Sequence, residues 1–192
     1  MFGKIRKNAA ILMAAACLLL PGCTEKSAKC SLQQVTLHEA GHVVIGWYSY
    51  DAPEIVSTTV VATDSSERCF GGTTTARTPK DKTPAQIIGI IAMALGGTKA
   101  EMLVFDEERT AVHDDDAAVI ERMLDAYVKH PINAGKAPDE VRREAYADAL
   151  RMTSFVLDAI GNRTQLLANE LARTRTMDRQ AIMELLGPPT PR

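Results

Sequence analysis

The segment Thr36-Leu-His-Glu-Ala-Gly-His-Val-Val-Ile-Gly46 carries two histidines four residues apart, with a glutamate directly after the first. Positions i and i+4 lie on one face of an α-helix, so the imidazoles of His38 and His42 can bind one Zn²⁺ ion. Glu39 lies about 100° further round the helix, where it can accept a proton from an attacking water without binding the metal. The segment therefore predicts a helical zinc site with Glu39 as its catalytic base.

The sequence around this segment predicts a mainly α fold with a small β-sheet or hairpin. Ser31 to Gln34 has the S-x-x-Q form of a capping box, so the first helix should run from there to about Trp47. Two segments rich in β-branched residues predict strands joined by a turn, at 55–62 and 70–75. Apolar residues at helical spacing predict further helices at 83–95, 100–105, 115–129, 139–160, 163–173 and 178–186.

Composition excludes several classes of protein. The 192 residues are 46% hydrophobic and carry a net charge of -2, which suits one compact domain with a proper core. The 22 Lys and Arg residues do not exceed the 24 Asp and Glu residues, so we expect no nucleic-acid partner. The phosphate-binding pattern G-x-x-x-x-G-K-[ST] does not occur, so we expect no ATP binding.

The N-terminus has the layout of an export signal. Three cations among the first seven residues precede an apolar run, residues 9–20, which ends in Leu20-Pro-Gly-Cys23. This ending resembles the lipobox of bacterial lipoproteins, which implies cleavage before Cys23, acylation of its thiol and attachment to a membrane of the cell envelope, on the periplasmic side or at the cell surface. The alternatives are an ordinary secretory signal and an uncleaved anchor.

Two of the four cysteines are left once Cys17 departs with the signal and Cys23 is acylated. In an exported protein such a pair suggests a disulfide, here between Cys30 and Cys69. The sequence does not show whether the two lie close enough, so the disulfide stays open.

Several motifs together resemble the peptidase domain of the FtsH-type membrane AAA+ zinc metalloproteases. In chain order they are the helix at 36–46, Cys69-Phe-Gly-Gly-Thr-Thr, Leu95-Gly-Gly-Thr-Lys-Ala-Glu101-Met-Leu-Val-Phe105, Asn162-Arg-Thr-Gln-Leu-Leu-Ala and Thr176-Met-Asp. The likeness covers Val35 to Leu186. It implies a zinc metalloendopeptidase that hydrolyses polypeptides by metal-activated water and, lacking the ATPase domain, works without ATP by itself. It also places the substrate strand at Phe70, Gly71, Gly72 and Thr73.

The third metal ligand has to be chosen from an acidic run. The family supplies it from an S-x-G-A-x-x-D pattern, and the corresponding stretch is Thr110-Ala-Val-His-Asp-Asp-Asp-Ala117, in which the glycine is missing. Helix phase aligns Asp116 with the apolar face formed by Ile120, Met123, Leu124 and Tyr127, and aligns Asp114 with the solvated face. We expect Asp116 to be the ligand, with Asp114 the next candidate and His113 a further alternative.

Glu101 matches the glutamate of the family's A-E motif. Its carboxylate could accept the distal N–H of a ligand histidine and fix that ring, or it could be an ordinary glutamate on a helix surface.

These expectations divide the chain into a signal peptide (1–22), a tether (23–33), a zinc peptidase domain (34–187) and a disordered tail (188–192). Two rival functions stay open: a catalytically silent lipoprotein that keeps the fold as a binding or scaffold module, and a zinc-buffering surface protein. The altered aspartate region favours the scaffold, whereas the intact Glu39 argues against it. The sequence does not decide whether the chain forms a homo-oligomer.

Overall fold

The computed structural model of the chain describes residues 31–62, 69–105 and 112–191, with residues 62, 69 and 70 described by their backbone alone. The predicted signal peptide, Cys23, Cys30 and most of the tether lie outside these ranges. In chain order the elements are α1 (Leu32–Tyr48), β1 (Ile55–Ala62), β2 (Cys69–Thr75), α2 (Pro84–Met102), α3 (Asp114–Lys129), a 3-10 helix (Pro131–Asn133), α4 (Pro138–Thr174), β3 (Thr176–Asp178) and α5 (Arg179–Leu186). The predicted fold class, mainly α with a small sheet, is confirmed.

Helix α1 begins where the capping signal places it. The hydroxyl of Ser31 accepts a hydrogen bond from the backbone N–H of Gln34 at 3.1 Å, which satisfies one of the free donors at the helix start. From Val35 to Trp47 every residue of α1 is buried. The helix that carries the H-E-x-x-H sequence is therefore the central helix of the domain and packs against neighbours on all sides.

Helix α2 is longer than predicted. The apolar spacing in the sequence predicted a helix as far as Leu95 and a separate short helix at 100–105. That prediction is wrong, since α2 continues without interruption from Pro84 to Met102. The reason is packing: a Cβ atom on Gly96 would lie 2.8 Å from the carbonyl oxygen of Gly41, so this glycine lets α2 approach α1 closely.

Helix α4 joins two helices that the sequence predicted separately. A single helix runs from Pro138 to Thr174, but Ile160 leaves helical geometry at φ -139° and ψ 24°. The predicted interruption is thus a kink, placed directly before Gly161. In its first part, the hydroxyl of Thr153 donates to the carbonyl of Ala92 at 3.0 Å, which fixes α4 behind α2.

The sheet has three antiparallel strands in the order β2-β1-β3. Thr58 at the centre of β1 lies opposite Thr73 of β2 on one side and Met177 of β3 on the other. The short strand β3 was not predicted, because three residues are too few to show an alternating pattern. Within the described ranges, β2 has β1 as its one neighbour, so its other edge is free to pair.

The residues after α5 return to the end of α1. Thr190 donates its backbone N–H to the carbonyl of Trp47 at 3.1 Å and its hydroxyl to the carbonyl of Tyr48 at 2.9 Å. The sequence predicted a disordered tail from residue 188, and the structure differs because these unpaired carbonyls of the last helical turn bind the tail. No helix in the described ranges is both long and apolar enough to cross a membrane.

Candidate active site

The two histidines of α1 face each other inside the domain. Their Nε2 atoms are 3.0 Å apart, and both side chains are buried, as is that of Glu39 between them in sequence. One helical turn separates positions 38 and 42, which places the two rings one above the other on the same face. The structure thus brings together both histidines of the H-E-x-x-H sequence, with Glu39 at the side.

Helix α2 binds the other nitrogen of each ring. His38 Nδ1 lies 2.7 Å from Oε1 of Glu101, and His42 Nδ1 lies 2.8 Å from the backbone carbonyl of Met93. A carbonyl only accepts, and an ionised carboxylate only accepts, so we assign the N–H of both neutral rings to Nδ1. Each ring then presents an Nε2 lone pair to the space between them.

Asp116 of α3 completes this cluster. Its Oδ2 lies 3.0 Å from Nε2 of His38 and 3.4 Å from Nε2 of His42. Neither contact is aligned as a hydrogen bond, and in the described part of the chain this buried oxygen has no hydrogen-bond partner. Asp114 and Asp115 are exposed. The structure therefore places Asp116, the residue chosen by helix phase, beside the histidines.

The ring of His113 also lies next to that of His38. Its ring centroid is 4.1 Å from that of His38, and its Nε2 is 3.3 Å from Oε1 of Glu101. His38, Glu101 and His113 are close enough to form a second possible metal-binding group. However, Glu101 of this group lies at Nδ1 of His38, with which it already makes a hydrogen bond, whereas His42 and Asp116 lie at Nε2.

Glu101 is fully buried, so it is not a surface glutamate. Besides the contact with His38, its Oε2 accepts a hydrogen bond from the side-chain amide of Gln34 at 2.5 Å. The sequence places Gln34 only at the start of α1 and carries no signal for its contact with Glu101, which was therefore not predicted. Glu101 holds the ring of His38 from behind, as one of its two sequence interpretations required.

Glu39 is held by strand β2. The hydroxyl of Thr73 donates to Oε2 of Glu39 at 2.7 Å. A Cβ atom on Gly71 would lie 2.3 Å from Oε1, so only glycine leaves room for the carboxylate here. Glu39 and the two histidines could also form a metal group, but Glu39 already has a hydrogen-bond donor, whereas Asp116 Oδ2 has none. Of the two carboxylates beside the histidines, Asp116 is thus the one with an oxygen that lacks a hydrogen-bond partner.

The two carboxylates of the cluster, Glu101 and Asp116, favour the protonated form of His38 when no metal is bound. Burial by itself lowers the pKa of His38, but its contacts with Asp116 and Glu101 outweigh burial and raise that pKa from 6.5 to about 9. Burial raises the pKa of Glu101, and the contacts with His113, His38 and Gln34 reverse this and lower it to about 2. The pKa of Asp116 is lowered in the same way by His38 and His42. The site attracts a cation, either a proton or a metal ion.

An open cleft of about 590 Å³ leads to this cluster. Helices α1, α2 and α3 line one part of it, and β2 lines the other with Gly71, Gly72 and Thr73. Phe70 belongs to the same strand. The predicted substrate strand and the predicted metal ligands therefore face one cavity, which is large enough for part of a peptide.

An H-E-x-x-H sequence on a buried helix, beside a cleft that a strand also lines, is typical of the class of helical metallopeptidases. The model of Peptidase family M41 matches residues 26–130, more than half of the chain, and the chain belongs to this family, that of the FtsH peptidase domain. The protein is therefore a peptidase of a metallopeptidase family.

Proposed function

We propose that this protein is a zinc-dependent endopeptidase in which His38, His42 and Asp116 hold the metal and Glu39 is the general base. One observation carries the proposal: two imidazole nitrogens and one carboxylate oxygen, all buried, converge on a single point beside Glu39. A set of two imidazoles and one carboxylate with an open fourth position is typical of catalytic rather than structural zinc.

The spacing of these atoms suits a zinc ion. Ligand atoms in a tetrahedral site at about 2.0–2.1 Å from zinc lie about 3.3 Å from one another. The three distances between His38 Nε2, His42 Nε2 and Asp116 Oδ2 are 3.0, 3.0 and 3.4 Å. The unpartnered state of Asp116 Oδ2 supports the same conclusion, because a buried carboxylate oxygen without a partner is costly.

The chemistry then depends on the residues around the metal. A bound zinc ion would lower the pKa of a water molecule to about 7 and polarise the carbonyl of the scissile peptide bond. Glu39 accepts the proton of the attacking water at Oε1, because Oε2 is occupied by Thr73. The same carboxylate then donates this proton to the nitrogen of the departing amine.

The neighbours of the histidines keep the ligands in place. Glu101 and the carbonyl of Met93 fix the two rings with Nε2 towards the metal, and such contacts also make the imidazole a better ligand. Gln34 in turn fixes Glu101. This support comes from two helices, α1 and α2, which pack closely through Gly41 and Gly96.

The substrate would be an extended polypeptide added to the free edge of β2. Backbone hydrogen bonds along Phe70 to Thr73 would bind it with little dependence on sequence. Because a peptide must be extended to pair with a strand, we infer that unfolded segments, exposed termini and small proteins are the substrates. The absence of a phosphate-binding loop from the sequence supports hydrolysis without ATP.

We also propose that the protein is attached to a membrane of the bacterial cell envelope through acylated Cys23. The support is the sequence alone, namely the cations, the apolar run at 9–20 and Leu20-Pro-Gly-Cys23. Cys23 and the preceding residues lie outside the described ranges.

The test compares the native protein with Glu39→Gln. Zinc content measured by mass spectrometry should be the same for both proteins, because the three ligands are unchanged. Casein hydrolysis should fall about 10²–10⁴-fold, the usual contribution of a general base. Glu140→Gln is a matched control, because Glu140 is an exposed glutamate at the start of α4.

Two results would overturn the proposal. Full activity of Glu39→Gln would exclude Glu39 as the base. Native protein that binds zinc but hydrolyses neither casein nor unfolded peptides would favour the silent scaffold instead.

A further inference from the structure

The general base is held by the strand that would bind the substrate. Successive side chains of a strand alternate between its faces, so Gly71 and Thr73 of β2 lie on one face. That face lies against Glu39: the hydroxyl of Thr73 donates to Oε2, and a Cβ atom on Gly71 would lie 2.3 Å from Oε1. In the described part of the chain, Thr73 is the one hydrogen-bond donor to this carboxylate.

A second threonine lies behind the first. Thr58 of β1 is fully buried, is paired with Thr73 across the two strands, and has its Oγ1 3.1 Å from Oγ1 of Thr73. A hydroxyl has one proton, and Thr73 donates its proton to Oε2 of Glu39. The bond between the threonines must therefore run from the Thr58 hydroxyl to Thr73 Oγ1.

We propose that Thr73, supported by Thr58, is a positioning residue for Glu39. The ordered bonds Thr58 to Thr73 to Glu39 fix one carboxylate oxygen and leave the other, Oε1, to accept the proton of water. The proposal rests on the proposed function, in which Glu39 is the base. Thr73 belongs to β2, so the strand that would pair with the substrate also positions Glu39, and it thereby fixes the position of the substrate relative to the base.

The experiment uses the full-length, zinc-loaded protein and four single variants. Thr73→Val keeps the shape and removes the donor, so kcat should fall about 10–100-fold while KM and zinc content stay unchanged. Thr73→Ser retains a hydroxyl and should recover most of kcat. Thr58→Val removes the more distant bond and should lower kcat by a smaller factor, about 2–10-fold. Thr59→Val, on the other face of β1, is the matched control and should change nothing.

A double variant tests whether Thr73 acts through Glu39. In the Glu39→Gln background, Thr73→Val should cause little further loss, because the group that it positions has gone. A multiplicative loss would overturn the proposal, as would native kcat in Thr73→Val, or a change in KM alone. If Glu39→Gln itself is fully active, the proposed function fails; if it is inactive and Thr73→Val is fully active, only this inference fails.

Discussion

Gly97 lies directly against the imidazole ring of His38. A Cβ atom added to Gly97 would be 2.5 Å from Cε1 of that ring and 2.7 Å from both of its nitrogens. These distances are shorter than real contacts of a Cβ atom, so the ring must move if any side chain is present at position 97. The glycine of α2 thus sets the position of the His38 ring on α1, which we propose to bind the metal.

We expect Gly97→Ala to weaken zinc binding without unfolding the protein. The displaced ring would lose its hydrogen bond with Glu101, and losses of this kind lower metal affinity about 10–100-fold. Overpacking would lower the free energy of unfolding by about 1–3 kcal/mol. Zinc titration against a competing chelator measures the first effect and urea unfolding the second.

Gly161→Ala is the control for that variant. A Cβ atom at position 161 would make one ordinary contact, 3.9 Å from Leu103 Cδ1, so zinc affinity should be native. Native affinity in Gly97→Ala as well would mean that His38 does not need this ring position to bind the metal.

Variants of two aspartates of α3 test which residue is the third ligand. Asp116→Asn removes the anionic oxygen beside both histidines, so zinc affinity should fall by more than about 100-fold, beyond the loss typical of residues that only support a ligand. Asp114→Asn should leave affinity unchanged, because Asp114 is exposed. If Asp116→Asn keeps native affinity, the ligand set is wrong and His113 or Glu101 is the next candidate.

The metal-free and zinc-loaded proteins should respond oppositely to pH. In the metal-free protein the pKa of His38 is raised to about 9, so its contribution to stability is complete below pH 6.5 and disappears as pH rises to 9. In the loaded protein His38 must be unprotonated, so zinc displaces a proton and binds more tightly as pH rises through this window.

Thermal unfolding at pH 6, 7.5 and 9, with zinc and with chelator, measures this difference. The increase in Tm caused by zinc should grow from pH 6 to pH 9. An increase that is constant over this range would show that no proton leaves the cluster when the metal binds.

The export proposal predicts the behaviour of Cys23→Ser in cells. The variant should incorporate no labelled fatty acid and should leave the membrane fraction, because the acylated thiol is the attachment point. Cys30→Ser should remain attached. Membrane attachment of Cys23→Ser, together with an unlabelled native protein, would exclude the lipobox.

The site residues that could be predicted from the sequence are those whose positions are determined by helical periodicity. His38 and His42 follow from i,i+4 spacing, and the position of Asp116 follows from the phase of α3, because one face of α3 is buried. The partners supplied by α2 could not be predicted. The hydrogen bond between His42 and the Met93 carbonyl, and the packing of Gly97 against His38, depend on how closely α1 and α2 approach each other. The sequences of the two helices do not reveal this distance.

The errors have the same origin. The apolar spacing that predicts α2 ends at Leu95, and each of the glycines that follow, Gly96 and Gly97, lowers helix propensity by about 1 kcal/mol relative to alanine. Burial against α1 outweighed this cost and α2 continued. The S-x-x-Q spacing of Ser31 and Gln34 suggested that the Gln34 side chain closes a capping box. Its amide instead donates to Glu101, which lies 67 positions further along the chain.

The contact between Thr190 and the last turn of α1 matters for how the protein is handled. Trp47 and Tyr48 also bind this part of the chain, through Gly187 and Leu186, so residues 186–190 anchor the helix that carries both histidines. An expression fragment that ends at residue 130, where the family match ends, would remove these contacts, and a purification tag fused after Arg192 would weaken them. A tag belongs at the other end of the chain, in place of the signal.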